Sequence, residues 1–149
     1  MKRLPILGST GSIGQSALDV VRAHPDRLEI VGLAAGSNSA RLLAQVMEFR
    51  PKAIAMTEEG ALRAVTSAYA PEISGAGSEG LIAVATHPDV DMVICASSGT
   101  AALEAVLAAI DAHKTIGLAN KEVLVMAGAL VTAAARARGV AILPGDSEH

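Results

Sequence analysis

Three short polar clusters hold most of the side chains that could do chemistry. Gly8-Ser9-Thr10-Gly11-Ser12-Ile13-Gly14 places glycines three and three apart. Glycines in that position permit a tight turn, let a pyrophosphate approach the backbone and allow a helix to pack closely on a strand. The free N–H groups of the following helix then face the phosphates. The spacing differs from the familiar G-x-G-x-x-G form, and a purely structural turn before a helix is the competing reading. Asn120-Lys121-Glu122 opens a later helix, where Asn caps and Glu complements the dipole. Lys121 is misplaced by that same electrostatics, which points to an anionic or polar ligand beside it. Asp146-Ser147-Glu148-His149 is the third cluster. In extended chain Asp146 and Glu148 project to one side, offering hard oxygen ligands for Mg²⁺ or Mn²⁺; solvated carboxylates are the plainer alternative.

The elements that must position these clusters follow from hydrophobic patterning. Apolar runs at Arg3–Leu7, Leu28–Ala35, Ala53–Met56, Met92–Ala96, Thr115–Ala119 and Val140–Leu143 read as strands. Helical spacing begins at Ile13 and stops at His24-Pro25. Further helices are expected over Ser39–Phe49, Glu58–Tyr69, Leu81–Ala85, Thr100–Ala112 and Glu122–Arg138. Pro71 to Gly80, rich in Gly and Ser, reads as a loop. Alternating strands and helices predict an α/β fold, Rossmann-like and doubly wound, with a mainly parallel sheet and helices on both faces. All three clusters follow strand C-termini, the edge at which open α/β sheets bind ligands. Pro5 conflicts with a central first strand because it cannot donate to the ladder; a late strand start or a local irregularity is expected.

Composition narrows the function. The 149 residues suffice for one domain, 51% are hydrophobic and 18% charged, and mean hydropathy is +0.43. The uncharged, Ala- and Gly-rich run Val123 to Ala135 is too short for a membrane span, which needs roughly 18 residues. Aromatics are 1% and the net charge is −3, so neither base stacking nor a polyanion-binding surface is expected. Nucleic acid and membrane are therefore excluded as partners. A single cysteine, Cys95, and the lack of a signal-peptide pattern fit the cytoplasm.

The second strand ends in Gly36-Ser37-Asn38, with Arg41 beyond and no carboxylate. NAD-binding domains usually carry an acidic residue there for the ribose 2′-OH, so small polar groups with a nearby arginine favour NADP. An ordinary turn and helix cap is the alternative. Cys95 reads as a buried small hydrophobe within a strand, His24 and His87 as turn or helix-end residues, and His113 as a helix-end residue.

Taken together, G-S-T-G-S-I-G, A-A-G-S-N at Ala34–Asn38, L-A-N-K-E at Leu118–Glu122 and D-S-E-H at Asp146–His149 resemble the 1-deoxy-D-xylulose 5-phosphate reductoisomerase family along the whole chain. The resemblance implies an NADPH- and Mn²⁺- or Mg²⁺-dependent enzyme of non-mevalonate isoprenoid biosynthesis. Its substrate is a sugar phosphate, 1-deoxy-D-xylulose 5-phosphate, and its product 2-C-methyl-D-erythritol 4-phosphate. Residues 1–149 would be the NADPH-binding domain, ending at the first metal-ligand segment, with catalytic and C-terminal domains outside it and a homodimer as the full-length form. By motif, Gly8, Thr10, Gly11, Ser12 and Ile13 would hold the pyrophosphate side of NADPH, and Gly36, Ser37 and Asn38 its 2′-phosphate region. Asn120 and Glu122 would contact cofactor, and Lys121 and Ser147 substrate. Asp146 and Glu148 would bind the metal, Glu148 also approaching substrate; Lys121 and Glu148 are the implied catalytic residues. Gly145, where a branched apolar residue is expected, and the hydroxyl-rich Ala96-Ser97-Ser98-Gly99 depart from the family pattern. The rival readings are the NADP domain of a semialdehyde or homoserine dehydrogenase and a non-catalytic dinucleotide sensor.

Overall fold

The computed structural model describes residues 1–97, 100–118 and 132–144. Its strands are β1 (Lys2–Leu7), β2 (Leu28–Ala35), β3 (Ala53–Met56), β4 (Ile73–Ala76), β5 (Met92–Cys95), β6 (Thr115–Leu118) and β7 (Ile142–Pro144). The helices between them are α1 (Ser12–Ala23), α2 (Ser39–Phe49), α3 (Glu59–Thr66), α4 (Gly77–Ala85) and α5 (Thr100–Asp111), and residues 132–138 are also helical. All strand pairings are parallel, in the order β4-β3-β2-β1-β5-β6-β7. The chain winds outward from β1 to β4, crosses back through α4, and continues outward from β5. Right-handed crossovers then place α1, α2 and α3 on one face and α4 and α5 on the other.

The burial pattern bears this out as two apolar layers. Leu18 and Val21 of α1, Leu42 and Val46 of α2, and Leu62 and Val65 of α3 pack with Ile6, Leu33 and Ile54 of the sheet. Val84 and Ala85 of α4, with Ala102, Ala105, Val106 and Ala109 of α5, pack on the opposite face. The alanines make the second layer thin. At Gly32 that thinness is required, because an added Cβ would lie 2.7 Å from Val84 Cγ1.

The doubly wound fold is as expected, with corrections at Pro71–Gly80 and at the end of α3. The segment expected to be a loop, Pro71 to Gly80, contains edge strand β4 and the first turn of α4, which starts four residues before Leu81. The cause is a glycine pair. A Cβ on Gly75 would lie 2.8 Å from Gly80 Cα, and one on Gly80 would run into the Gly75 carbonyl. Strand and helix meet backbone to backbone, so the glycines that look like a loop are the contact itself. Gly80→Ala should therefore destabilise the chain by about 2 kcal/mol and lower Tm by about 4–8 °C, although alanine is the better helix former; calorimetry checks this.

At Pro5 the expected local irregularity is present, while the late start is not. The strand starts early, at Lys2, and the irregularity is a register shift between Leu4 and Pro5 against β2. Arg3 O accepts Asp91 N–H and Leu7 O accepts Ala96 N–H, so alternation turns Pro5's missing donor toward β5. There the ladder begins only at Ile6. Below it the Asp91 carboxylate substitutes for a strand, accepting Arg3 N–H at 2.9 Å. The Arg3 guanidinium holds Asp91 below the usual carboxylate range, and Lys52 does the same for Asp89 at 2.5 Å. This charged cluster lies at the strands' N-terminal edge and ties the sheet together.

Helix α3 stops at Thr66, short of the expected Tyr69. Tyr69 instead hydrogen-bonds Pro51 O at 2.6 Å. Residues 119–131, which include most of the expected Glu122–Arg138 helix, lie outside the described residues.

Candidate functional site

Between β1 and β5 the winding reverses, and open α/β sheets bind their ligands at such a point, beyond the strand C-termini. A cleft of about 410 Å³ opens there. Gly8 and Gly11 form its floor, with Ala96 and Ser97 following β5 on one side and Gly36 following β2 on the other.

The glycine loop is shaped by positions that admit no side chain. Gly8 has φ +88° and a Cβ there would lie 2.6 Å from Ser97 Cβ. At Gly14 a Cβ would collide with Gly8 O and lie 2.7 Å from Ser9 Cα. The first turn of α1 therefore presses directly on the loop. Gly8 N–H and Ser9 N–H both donate to Ala34 O, at 2.8 and 2.9 Å, fixing the loop to the end of β2. Gly11 is the N-cap of α1, with no side-chain hydrogen bond to the exposed amides and no acidic residue in the first turn. That contrasts with α2, where Asn38 Oδ1 accepts Arg41 N–H at 3.1 Å. An uncapped helix start behind a glycine turn presents unpaired N–H groups and a positive dipole end to an anion. The cradle fits a dinucleotide pyrophosphate.

The rim after β2 is braced by Thr57, whose N–H lies 3.1 Å from both Ala35 O and Gly36 O. Thr57 also lines the cleft, as does Leu81 of α4. Neither is among the residues expected from sequence. Thr57 directly follows β3 and so obeys the same strand-end rule as the clusters that were found. Leu81 lies one turn into α4, where the sequence pattern places only the start of the helix.

Of the expected cofactor residues, Gly8, Gly11 and Gly36 line the cleft. Thr10 is half-buried in the loop, while Ser12 and Ile13 are exposed at the start of α1, Ile13 by 43%. Ser37 and Asn38 are exposed beyond Gly36. Asn38 is committed to capping, and Arg41 lines a separate cleft between α1 and α2. Asn120, Lys121, Glu122, Gly145, Asp146, Ser147 and Glu148 lie outside the described residues. Among the described residues no three metal-ligating side chains come together.

Other reactive groups are structural. Cys95 ends β5, not its middle, and burial pushes its thiol up to about 11, so it is a poor nucleophile. His24 caps α1 through Val20 O. His87 is buried, and its Nδ1 accepts Asp89 N–H at 3.1 Å; the His-Pro dipeptide gave no sign of that burial. No described helix is long and apolar enough to cross a membrane.

Residues 4–128 match the family model described as 1-deoxy-D-xylulose 5-phosphate reductoisomerase. The reductoisomerase of that name from Anaeromyxobacter dehalogenans is 55% identical over 100% of this chain and 38% of its own length. A DOX-P reductoisomerase solved with NADPH, fosmidomycin and magnesium is 44% identical, with a TM-score of 0.88 over 97% of this chain and 36% of that one. The Zymomonas mobilis enzyme solved with NADPH is 36% identical, also at a TM-score of 0.88, over 99% and 39%. The chain thus spans about two fifths of the length of the relatives it matches.

Proposed function

This chain belongs to the 1-deoxy-D-xylulose 5-phosphate reductoisomerase family, and on that premise we propose that it is the cofactor-binding part of an NADPH- and divalent-metal-dependent reductoisomerase. The reaction converts 1-deoxy-D-xylulose 5-phosphate to 2-C-methyl-D-erythritol 4-phosphate in isoprenoid biosynthesis. The observation that carries the reading is the uncapped start of α1 behind Gly8–Gly11, opening onto the cleft at the winding reversal. Relatives solved with NADPH support it.

Amides of the loop and of the first turn of α1, at Thr10, Gly11, Ser12 and Ile13, bind the pyrophosphate. Gly36, Ser37 and Asn38 receive the adenosine 2′-phosphate. The 43% exposure of Ile13 leaves an apolar side chain to pack on the cofactor. Asn120 and Glu122 reach the cofactor nearer the reacting end, Lys121 and Ser147 hold the sugar phosphate, and Glu148 orients it. Asp146 and Glu148 supply the metal's carboxylate ligands, a hard oxygen set suited to Mn²⁺ or Mg²⁺. A bound divalent ion supplies Lewis acidity at the substrate oxygens, and NADPH supplies hydride. The chain's own part is to bind and orient the cofactor and to present Lys121 and Glu148. The longer form acts as a cytoplasmic homodimer.

Two measurements test this. NADPH titrated into the chain should give saturable one-to-one binding, followed by nicotinamide fluorescence. The chain should also restore turnover when it replaces the matching segment of the Anaeromyxobacter dehalogenans enzyme, with dependence on both NADPH and Mn²⁺ or Mg²⁺. A cooperatively folded chain that ignores millimolar NADPH would sink the cofactor reading. Binding with a folded but inactive chimera would sink the reductoisomerase reading alone.

A further inference from the structure

Gln45 is a buried amide on α2, 6% exposed, on the same helix face as buried Leu42 and Val46 and at the base of the cleft between α1 and α2 that Gln15, Leu18 and Arg41 also line. Its Nε2 donates to Ser9 O at 2.9 Å across 36 residues of sequence. Gln15 of α1 does the same to the next carbonyl, Thr10 O, also at 2.9 Å. A planar trans peptide carries its N–H on the side opposite its C=O. Drawing the Ser9 carbonyl toward α2 therefore turns Thr10 N–H away from α2, and drawing the Thr10 carbonyl toward Gln15 turns Gly11 N–H away likewise. Among the described residues neither amide donates to a carbonyl. The far side of the loop is the cleft that Gly8 and Gly11 line.

Burying an amide away from water costs free energy unless it is hydrogen-bonded. Gln45 recovers only half of what it gives up: Oε1 is buried without a partner, and so is Oγ of Ser9, the residue it holds. Leucine or methionine would pack the same space without an unpaired oxygen, so stability alone does not account for glutamine here.

Resting on the reading of the glycine loop as a phosphate cradle, we propose that Gln45 is a positioning residue for the cofactor. By holding the Ser9 carbonyl it aims Thr10 N–H at the diphosphate of NADPH. Gln45 touches no cofactor atom itself. It preorganises the loop, so the dinucleotide meets donors already aimed and need not order them on binding.

The test uses the full chain with two ligands, NADPH and adenosine 2′-monophosphate, the second lacking the diphosphate. In Gln45→Met, which keeps the length without the donor, Kd for NADPH should rise about tenfold, the worth of one charge-assisted hydrogen bond. Kd for adenosine 2′-monophosphate should stay within about twofold. Gln45→Glu, which replaces the donor with an acceptor while keeping the shape, should give the same split and covers the case in which Gln45→Met fails to fold. Unchanged NADPH affinity in a folded variant overturns the proposal, and so does an equal loss for both ligands, the mark of general loosening. If the unaltered chain binds no NADPH, the cradle reading fails and this role with it; if it binds and the variants bind equally, only the role of Gln45 fails.

Discussion

Gly14→Ala should cost the chain about a hundredfold in NADPH affinity. Alanine in place of a helix glycine is ordinarily stabilising by about 1 kcal/mol, so the sign has to be decided by what the new methyl meets. It meets backbone: the Gly8 carbonyl oxygen, with Ser9 Cα at 2.7 Å and Ser9 C at 2.8 Å. A side chain could swing aside, but this loop cannot. Its Gly8 and Ser9 amides are both held by Ala34 O, and Gly8 already has φ +88°. Either α1 lifts off the sheet or the loop shifts into the cleft, and both move the amides proposed to face the pyrophosphate. A displacement of about 1 Å at preorganised donors costs on the order of a hundredfold. The strain should also remove about 1–3 kcal/mol of stability. Fluorescence titration and thermal melting on one sample separate the two, because a variant that is still folded at 25 °C but no longer binds NADPH locates the damage at the loop. Wild-type affinity in Gly14→Ala would mean that the loop is not the phosphate site.

How much of this was readable from the residues depends on the kind of contact. Strands β1, β2, β3, β5 and β6 were legible because each lies in a short, largely apolar run, and their alternation with helical spacing pointed to the parallel winding. Strand β4 was not. Ile73 is 37% exposed and the strand ends in small residues, so it lacks the apolar signature, and its glycines look like a turn until Gly80 is seen against Gly75. The same ambiguity worked the other way at Gly8–Gly14, where the preceding strand supplied the context that Pro71–Gly80 lacked. The site was legible wherever a motif names its own chemistry. Thr57 and Gln45 belong to no motif; their roles exist only because β3 ends beside Gly36 and α2 packs beneath Ser9. No spacing rule connects residues 36 positions apart. Pro5 was half legible: the missing donor is a property of the residue, but the Asp91 carboxylate that accepts Arg3 N–H where the β5 ladder is absent is a property of the fold.

Ser37→Asp should reverse the preference between the two nicotinamide cofactors. Strand β2 ends at Ala35, and Gly36, Ser37 and Asn38 follow it as exposed residues. Asn38 is spent on capping α2, which leaves Ser37 as the uncommitted side chain on the rim, short, neutral and able to donate. No carboxylate stands in this turn to repel a 2′-phosphate. An aspartate would set a negative charge against a phosphate bearing about −1.5 to −2. At a half-exposed separation of about 4–5 Å the repulsion is on the order of 3 kcal/mol before screening. NADPH affinity should therefore fall about hundredfold. NADH carries hydroxyls at the same position, which an aspartate can accept from, so its affinity should rise and the NADPH preference expected of the unaltered chain should invert. Raising the salt concentration should shrink the NADPH penalty in Ser37→Asp, since exposed charges about 5 Å apart are partly screened. It should leave the NADH value nearly unchanged. Calorimetric titration of both cofactors at two ionic strengths measures all four numbers. If the unaltered chain binds NADH as tightly as NADPH, Gly36–Asn38 is an ordinary turn and the discrimination lies elsewhere in the cleft.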